Sequence, residues 1–227
     1  MTHPAPILWL AGLLAAAALV EAIRRVHWAM LPRDRVTWAL ATVALLIARQ
    51  ATVTMPGDFP LQYVGTAWLT LLLGYPRAVV SVTMVTTIEV LLGARPAATL
   101  GLDVLLFAVA PAWLMWALAS GCRRLLPPNP FVFLIGVGFL GLFASYALPL
   151  LAAATIDALA LVLPPGAGGA HAASAHALEQ HLRLALPYAL LLSAGEAWLE
   201  GMLTTLLVVF APRSVRLFDE AYYLARR

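Results

Sequence analysis

Charged side chains are scarce in this sequence of 227 residues: they make up 11%, and lysine is absent altogether. A soluble globular domain carries about 25% charged residues. Hydrophobic residues make up 63% of the chain, which is more than the core of one soluble domain can enclose. The composition therefore excludes an ordinary soluble protein and predicts an integral membrane protein whose apolar side chains contact lipid.

Cysteine occurs once, at Cys122, which excludes an internal disulfide and a cysteine-based metal site. The sequence also lacks Walker A, HExxH and GxSxG motifs and any nucleophile–base combination, so nothing in it indicates an enzyme or a nucleotide site. The fourteen basic residues are all arginine and cluster at the ends of apolar runs, without the interleaved aromatics of a nucleic-acid surface. We therefore expect membrane lipid, and not nucleic acid, around this chain.

Seven apolar runs predict an all-α, polytopic transmembrane helical bundle that forms a single integral membrane domain over residues 1–227. A span needs roughly 20 residues, so a chain of this length has room for about six to eight spans. The predicted spans are Ile7–Ile23, Val36–Val53, Phe59–Gly74, Arg77–Leu92, Ala97–Ser120, Phe131–Leu163 and Leu182–Phe210.

The distribution of arginine predicts an N-terminus outside and a C-terminus in the cytoplasm, because cytoplasmic loops of membrane proteins carry an excess of arginine and lysine. With this orientation Arg95 is the single arginine of the external loops, while Arg49 and Arg183 lie at span ends. The cytoplasmic segments hold the remaining arginines: Arg24, Arg25, Arg33, Arg35, Arg77, Arg123, Arg124, Arg213, Arg216, Arg226 and Arg227.

Two of the predicted spans are open to another interpretation. The stretch Phe59–Gly74 is short for a bilayer of about 30 Å, and it is either a span with little tilt or a partly re-entrant segment. The overlong run Phe131–Leu163 contains Pro149. The span either kinks there or ends near Asp157, with an interfacial helix after it. The Gly/Ala-rich stretch Pro164–His181 is predicted as an external loop.

Ionisable residues inside apolar spans cost at least a few kcal/mol when they face lipid, so they mark internal pairs or functional sites. Arg49, Glu89 and Asp103 fall near the external ends of three predicted spans. We expect Arg49 to pair with Glu89 or with Asp103. The group is interpreted either as an internal ion pair that holds the helices together or as a polar entrance or binding site for a substrate.

Glu196 and Glu200 lie four residues apart, so they share one face of the last predicted span. Two neighbouring carboxylates in a low dielectric need an arginine, a proton or a metal to balance them. We expect both to face the protein interior, with arginines, the hydroxyls of Ser145 or Tyr146, or backbone freed by Pro149 as candidate partners. The pair is interpreted either as structural or as part of transport.

Glycines near these spans predict close helix contacts. Gly195 and Gly201 flank the two glutamates, and Gly136, Gly138 and Gly141 fit the pattern G-x-G-x-x-G. Because the latter pattern lies inside an apolar run, it is more typical of helix packing than of phosphate binding.

Histidines offer candidate metal ligands. His3 lies next to the N-terminal amine if Met1 is removed, and amine and imidazole nitrogens suit Ni(II), Cu(II) and Co(II). The alternative is an N-terminus that binds nothing. The histidines of the predicted loop, His171, His176 and His181, either collect a divalent metal or are simply solvated.

Several stretches from about Phe59 onward carry a family resemblance. They are residues 61–66 (LQYVGT) with 72–76 (LLGYP), 100–104 (LGLDV), 125–131 (LLPPNPF), and 195–209 (GEAWLEGMLTTLLVV) followed by Phe218 and Asp219. In these stretches the chain resembles the membrane permease, or substrate-capture subunit, of cobalt/nickel energy-coupling-factor transporters. Within that family it is most similar to a proteobacterial branch of uncertain substrate.

The resemblance implies a transport-type subunit of the bacterial inner membrane, with Co²⁺ or Ni²⁺ as transported substrate and no firmly implied cofactor. Separate ATPase chains and coupling transmembrane subunits are the implied partners. In metal-transporting members the N-terminal amine and two histidines bind the metal. The positions implied here are His3, Gln62 in place of a histidine, and Asp103 in place of an asparagine. Glu89 is a further candidate, because it lies near the external end of its predicted span.

The histidine missing at Gln62 leaves an alternative function open. The same fold can serve as a non-transporting accessory or assembly subunit of a larger membrane protein complex. Partners that co-purify with the chain distinguish the two possibilities.

Overall fold

The computed structural model describes residues 5–28, 31–50, 52–55, 59–162 and 171–224. Helices dominate this part of the chain, as predicted, and one two-stranded antiparallel hairpin interrupts them. In chain order the elements are α1 (Ala5–Arg25), α2 (Pro32–Gln50), β1 (Thr52–Met55), β2 (Phe59–Gln62), α3 (Thr66–Leu73), α4 (Tyr75–Leu91), α5 (Ala97–Leu125), α6 (132–162), α7 (His171–Phe210) and α8 (Glu220–Leu224).

Within the described residues, four helices are long and apolar enough to cross a membrane. Their apolar segments are Pro6–Arg25 in α1, Ala97–Leu125 in α5, Val132–Ile156 in α6 and Ala185–Phe210 in α7. Large apolar side chains on these helices are exposed, as membrane helices require where they contact lipid; examples are Leu13, Trp113, Ile135 and Trp198. The protein is therefore a helical, multi-pass membrane protein.

Most predicted spans correspond to a helix, but some ends differ. α6 continues through Pro149 to Val162, and its apolar segment ends at Ile156, next to the predicted end of the span near Asp157. α7 begins at His171 instead of Leu182, because the alanine-rich residues before Leu182 favour helix. That half of the predicted loop is therefore helical. The other half, residues 164–170, lies outside the described residues, as do the side chains of the three loop histidines.

The stretch predicted as the third span, Phe59–Gly74, is not a single helix. It consists of β2, an irregular segment and α3, whose eight residues measure only about 12 Å. Gly65, immediately before α3, has a φ of +65°, a left-handed conformation that glycine adopts without strain, so helix α3 begins only at Thr66. α2 likewise ends at Gln50, so Val53 lies in β1 and not in a second span.

This broken stretch nevertheless runs along α4 from one end to the other. Gln62 contacts Glu89 near the C-terminal end of α4. At the other end, the Leu217 N–H donates to the carbonyl of Leu71 over 3.1 Å, just before α4 begins. Non-helical backbone at membrane depth is tolerated only where protein covers it and satisfies its polar groups. Glu196 of α7 does so here, because it accepts from the amides of Val64 and Gly65.

Glycines permit two close helix contacts. A Cβ at Gly101 of α5 would lie 2.5 Å from Cα of Gly12 in α1, and a Cβ at Gly201 of α7 would lie 2.6 Å from the carbonyl oxygen of Gly138 in α6. Gly195 has no neighbour within 4 Å of its Cβ position. The prediction of close packing is therefore confirmed for Gly138 and Gly201 and is wrong for Gly195.

Candidate functional site

Two polar clusters lie beside residues 63–65, the irregular segment that leads from β2 into α3. Both are largely shielded from the surface and join elements that are far apart in sequence. The arginine cluster consists of Arg49, Gln62, Glu89, Arg95 and Asp103. The tyrosine cluster consists of Tyr63, Tyr146, Glu196 and Glu200.

Glu89 of α4 is the centre of the arginine cluster and is almost fully buried. Its Oε1 lies 3.1 Å from Nε of Arg49 and accepts a hydrogen bond from Nε2 of Gln62 over 2.9 Å. Its Oε2 accepts a second hydrogen bond from Nε of Arg95 over 3.0 Å. Two guanidinium groups and one amide thus offset the cost of burying this carboxylate.

Arg49, at the end of α2, is buried as deeply as Glu89. Its pairing with Glu89 is an ion-pair contact and not a hydrogen bond, because the Nε–H of Arg49 points at no acceptor. Its Nη1 donates weakly to Oγ1 of Thr86 over 3.5 Å, and its backbone carbonyl accepts from Gln62 over 2.9 Å. The contact that the sequence predicts between Arg49 and Glu89 is present.

Arg95, in the turn between α4 and α5, contacts three side chains through its three nitrogens. Nε donates to Glu89, Nη2 donates to Oε1 of Gln62, and Nη1 lies 3.5 Å from Oδ1 of Asp103. The guanidinium carbon also lies 5.7 Å from the ring centroid of Phe107. Oxygen atoms from β2, α4 and α5 therefore converge on one cation.

The charges of the arginine cluster cancel. Asp103, on the first turns of α5, accepts a hydrogen bond from Oγ1 of Thr99 over 3.0 Å in addition to its contact with Arg95. Two arginines and two carboxylates leave no net charge, which lowers the cost of placing the cluster in an apolar surrounding.

Glu196 of α7 binds the irregular backbone before α3. Its Oε1 accepts from the Val64 N–H over 2.9 Å, and its Oε2 accepts from the Gly65 N–H over 3.3 Å. These two amides lie outside any helix or strand and are buried, so a carboxylate supplies the acceptors that regular structure would otherwise provide.

Glu200, one turn further along α7, is fully buried and accepts from two phenols. Tyr63 donates to Oε1, and Tyr146 of α6 donates to Oε2 over 2.5 Å. The Tyr146 oxygen in turn accepts from the Trp68 N–H over 3.1 Å, at the first turn of α3. The two glutamates therefore fasten the start of α3 to α6 and α7.

The structure brings together three of the four residues predicted to bind a metal: Gln62, Glu89 and Asp103. The fourth, His3, lies outside the described residues. Among the residues that are described, no group of three His, Cys, Asp or Glu side chains could hold a metal ion. The ligand roles of these four residues stay a prediction.

Sequence reasoning placed Arg95 in an external loop without a role, and it did not identify Tyr63. One signal for Arg95 was present, because it is the single arginine predicted on the external side, where the arginine bias disfavours it. Tyr146 was among the candidate partners of the glutamates, and it is one of the two phenols bound to Glu200. Both glutamates face the protein interior, as predicted.

Comparison with known proteins identifies similarity over nearly the whole chain. Residues 3–214 match a family model described as the cobalt uptake substrate-specific transmembrane region. No curated protein matches the sequence.

Two solved structures have a similar fold. A crystal structure of a truncated transition metal transporter aligns with a TM-score of 0.75 at 18% identity, over 91% of this chain and 95% of that chain. A second crystal structure of a transition metal transporter gives a TM-score of 0.74 at 18% identity, over 96% of this chain and 97% of that chain. At this identity the likeness shows a shared fold.

Proposed function

The chain belongs to the family of cobalt-uptake substrate-specific transmembrane proteins, and from that membership we propose that it captures Co²⁺ or Ni²⁺ at the external face of the bacterial inner membrane. The observation that carries the proposal is the family match over residues 3–214. The protein is thus a transport subunit and not an enzyme. The same match does not favour the alternative of a non-transporting accessory subunit.

The arginine cluster is the proposed capture site. Gln62, Glu89 and Asp103 supply three oxygen atoms that already converge on one cation, the guanidinium of Arg95. Oxygen ligands alone suit hard cations such as Mg²⁺ or Mn²⁺, whereas imidazole and amine nitrogens favour Ni²⁺ and Co²⁺. The proposed selectivity for Co²⁺ or Ni²⁺ therefore depends on His3 and the N-terminal amine.

The chain crosses the membrane seven times in this proposal, with its N-terminus outside and its C-terminus in the cytoplasm. Six crossings are α1, α2, α4, α5, α6 and α7, and the seventh is the broken stretch 59–74. Its course along the full length of α4 supports a crossing. Glu196 accepts hydrogen bonds from the Val64 and Gly65 amides at its irregular start, and Glu200 accepts one from the Tyr63 hydroxyl. An odd number of crossings places the basic C-terminal end in the cytoplasm, where arginine is favoured.

Energy for transport would come from other chains. This sequence has no Walker A motif, so ATP hydrolysis requires separate ATPase subunits, joined to this chain through a coupling transmembrane subunit. The entire chain acts as one membrane domain in this assembly.

Metal binding by the purified protein tests the proposal. We expect the full-length chain in lipid nanodiscs to bind about one equivalent of Co²⁺ or Ni²⁺ in equilibrium dialysis. His3→Ala should weaken that binding by about tenfold or more, because it removes the nitrogen ligand that these metals prefer.

The matched control is His27→Ala, which removes a histidine from the connection after α1, away from the arginine cluster. It should bind metal as the wild type does. A wild-type protein that binds neither metal, or equal loss in the two variants, would refute the metal assignment.

A further inference from the structure

The three oxygens of the arginine cluster already hold a cation, and that cation belongs to the protein. Arg95 uses all three guanidinium nitrogens, one for each of Gln62, Glu89 and Asp103. We infer that Arg95 occupies the metal position of the capture site and that a divalent cation enters only when this guanidinium leaves. The inference rests on the proposed capture function and adds a specificity-determining residue to it.

Arg95 and a metal ion cannot bind the three oxygen atoms at the same time, for reasons of both charge and space. A metal that bound these same oxygen atoms would compete with the guanidinium group for the space between them, and two cations so close together repel strongly in a low dielectric. With Arg95 in place the cluster is neutral, so it offers an incoming cation little attraction. With Arg95 withdrawn, Glu89 and Asp103 face Arg49 alone, and the cluster carries one net negative charge.

The two arginines of the cluster differ in their freedom to leave. The Arg49 side chain is 2% exposed and lies on a helix, whereas the Arg95 side chain is 20% exposed and lies in the turn after α4. Gly93, two residues earlier, has a φ of +76° and open space around its Cβ position. The Arg95 side chain, which extends from a turn at the edge of the cluster, can therefore leave the cluster more easily than the buried side chain of Arg49.

Replacement of Arg95 tests the inference directly. Arg95→Gln removes the resident cation, and we expect the variant in nanodiscs to bind Co²⁺ and Mn²⁺ about tenfold more tightly than the wild type, or better, because a like charge has been removed from the site. The gain should be lost in Arg95→Gln combined with Asp103→Asn. Arg95→Lys, which keeps the charge but cannot contact three oxygens at once, should give a smaller gain.

The matched control is Arg183→Gln, which removes one positive charge from an exposed ion pair with Glu179 on α7. It should leave metal affinity unchanged. Thermal unfolding of each variant shows whether it is folded.

The wild-type protein provides a second measurement that does not depend on variants. Phenylglyoxal modifies accessible guanidinium groups, and peptide mass spectrometry reports the extent at each arginine. Saturating Co²⁺ should increase modification of Arg95 several-fold and leave Arg183 unchanged, because the metal displaces the former from the cluster. Unchanged modification of Arg95 with metal bound would overturn the inference.

The outcomes separate the two proposals. If the wild type binds Co²⁺ and Arg95→Gln binds it no more tightly, displacement is wrong and the capture function stands. If only Arg95→Gln binds metal, Arg95 does occupy a cation site and the proposed function of the wild type is wrong. If neither binds metal, both are wrong.

Discussion

Glu200 shows how single residues make a buried carboxyl group tolerable in this protein. Within the described residues it contacts no cation, and both of its oxygen atoms accept from phenols, Tyr63 and Tyr146. A hydrogen bond contributes about 0.5–1.5 kcal/mol to stability, and a buried polar group that loses its partner costs about 1–3 kcal/mol. The tyrosine cluster should therefore contribute strongly to stability.

Tyr146→Phe removes the donor to Glu200 and the acceptor of the Trp68 N–H together. We expect the free energy of unfolding to fall by about 1–3 kcal/mol, as measured by thermal or denaturant unfolding in detergent. Tyr75→Phe is the matched control, because the hydroxyl of Tyr75 forms no hydrogen bond with any residue that the structure describes, and it should change stability far less. Equal effects of the two substitutions would mean that the Tyr146 hydroxyl has no special role.

The pairing of Arg49 with Glu89 could be predicted because a charge inside an apolar run must find an opposite charge nearby. The position of Arg95 could not, because the turn that carries it belongs to no periodic pattern. Nothing in the local sequence indicates that a loop side chain reaches back to three elements at once. The sequence therefore predicts Gln62, Glu89 and Asp103 as neighbours in a site, but it does not predict that Arg95 binds them.

The elements differ in how far local sequence determines them. Long apolar runs suffice to identify α1, α5, α6 and most of α7, because a bilayer requires a helix of about 20 residues. The break at residues 63–65 could not be predicted in this way. Its backbone is stabilised by Glu196 and Glu200, which lie more than 130 positions further along the chain, and a pattern of local hydrophobicity carries no such information.

The close contact between Gly201 of α7 and Gly138 of α6 can be tested by substitution. Gly201→Ala places a Cβ 2.6 Å from the carbonyl oxygen of Gly138, so α6 and α7 must separate locally. We expect a loss of about 1–3 kcal/mol in the free energy of unfolding.

Gly195→Ala on the same helix is the control, because its Cβ would meet nothing within 4 Å. It should be neutral or should stabilise the helix by about 0.5–1 kcal/mol, since alanine loses less backbone entropy than glycine. If Gly195→Ala proved as damaging as Gly201→Ala, the contact between α6 and α7 would not explain the effect.

For the molecule as a whole, the question is how many times the chain crosses the bilayer. Four helices are unambiguous by length and composition. α2 and α4 have 19 and 17 residues, and at 1.5 Å per residue they measure about 29 and 26 Å, close to the thickness of the hydrocarbon core. The count of seven then depends on the broken stretch 59–74.

Reporter fusions determine this topology. Fusions after Arg124 and at Arg227 should report the cytoplasm, and a fusion at Gly168 should report the external side. A fusion at Gly57, in the connection between β1 and β2, should also report the external side, whereas a fusion after Gly74 should report the cytoplasm. The same side for the last two would mean that the stretch 59–74 re-enters without crossing.

The bonds between Glu196, Glu200 and residues 63–65 also impose an order on biogenesis. Arg49, Gln62, Glu89, Arg95 and Asp103 all emerge from the ribosome within one short span of synthesis, so the arginine cluster can assemble early. The carboxylates that hold the backbone beside it arrive only with α7, when most of the chain has been made. Until that helix is inserted, the amides of Val64 and Gly65 lack their acceptors. Residues 63–65 of the newly made chain are therefore exposed to quality-control proteases until α7 is in place.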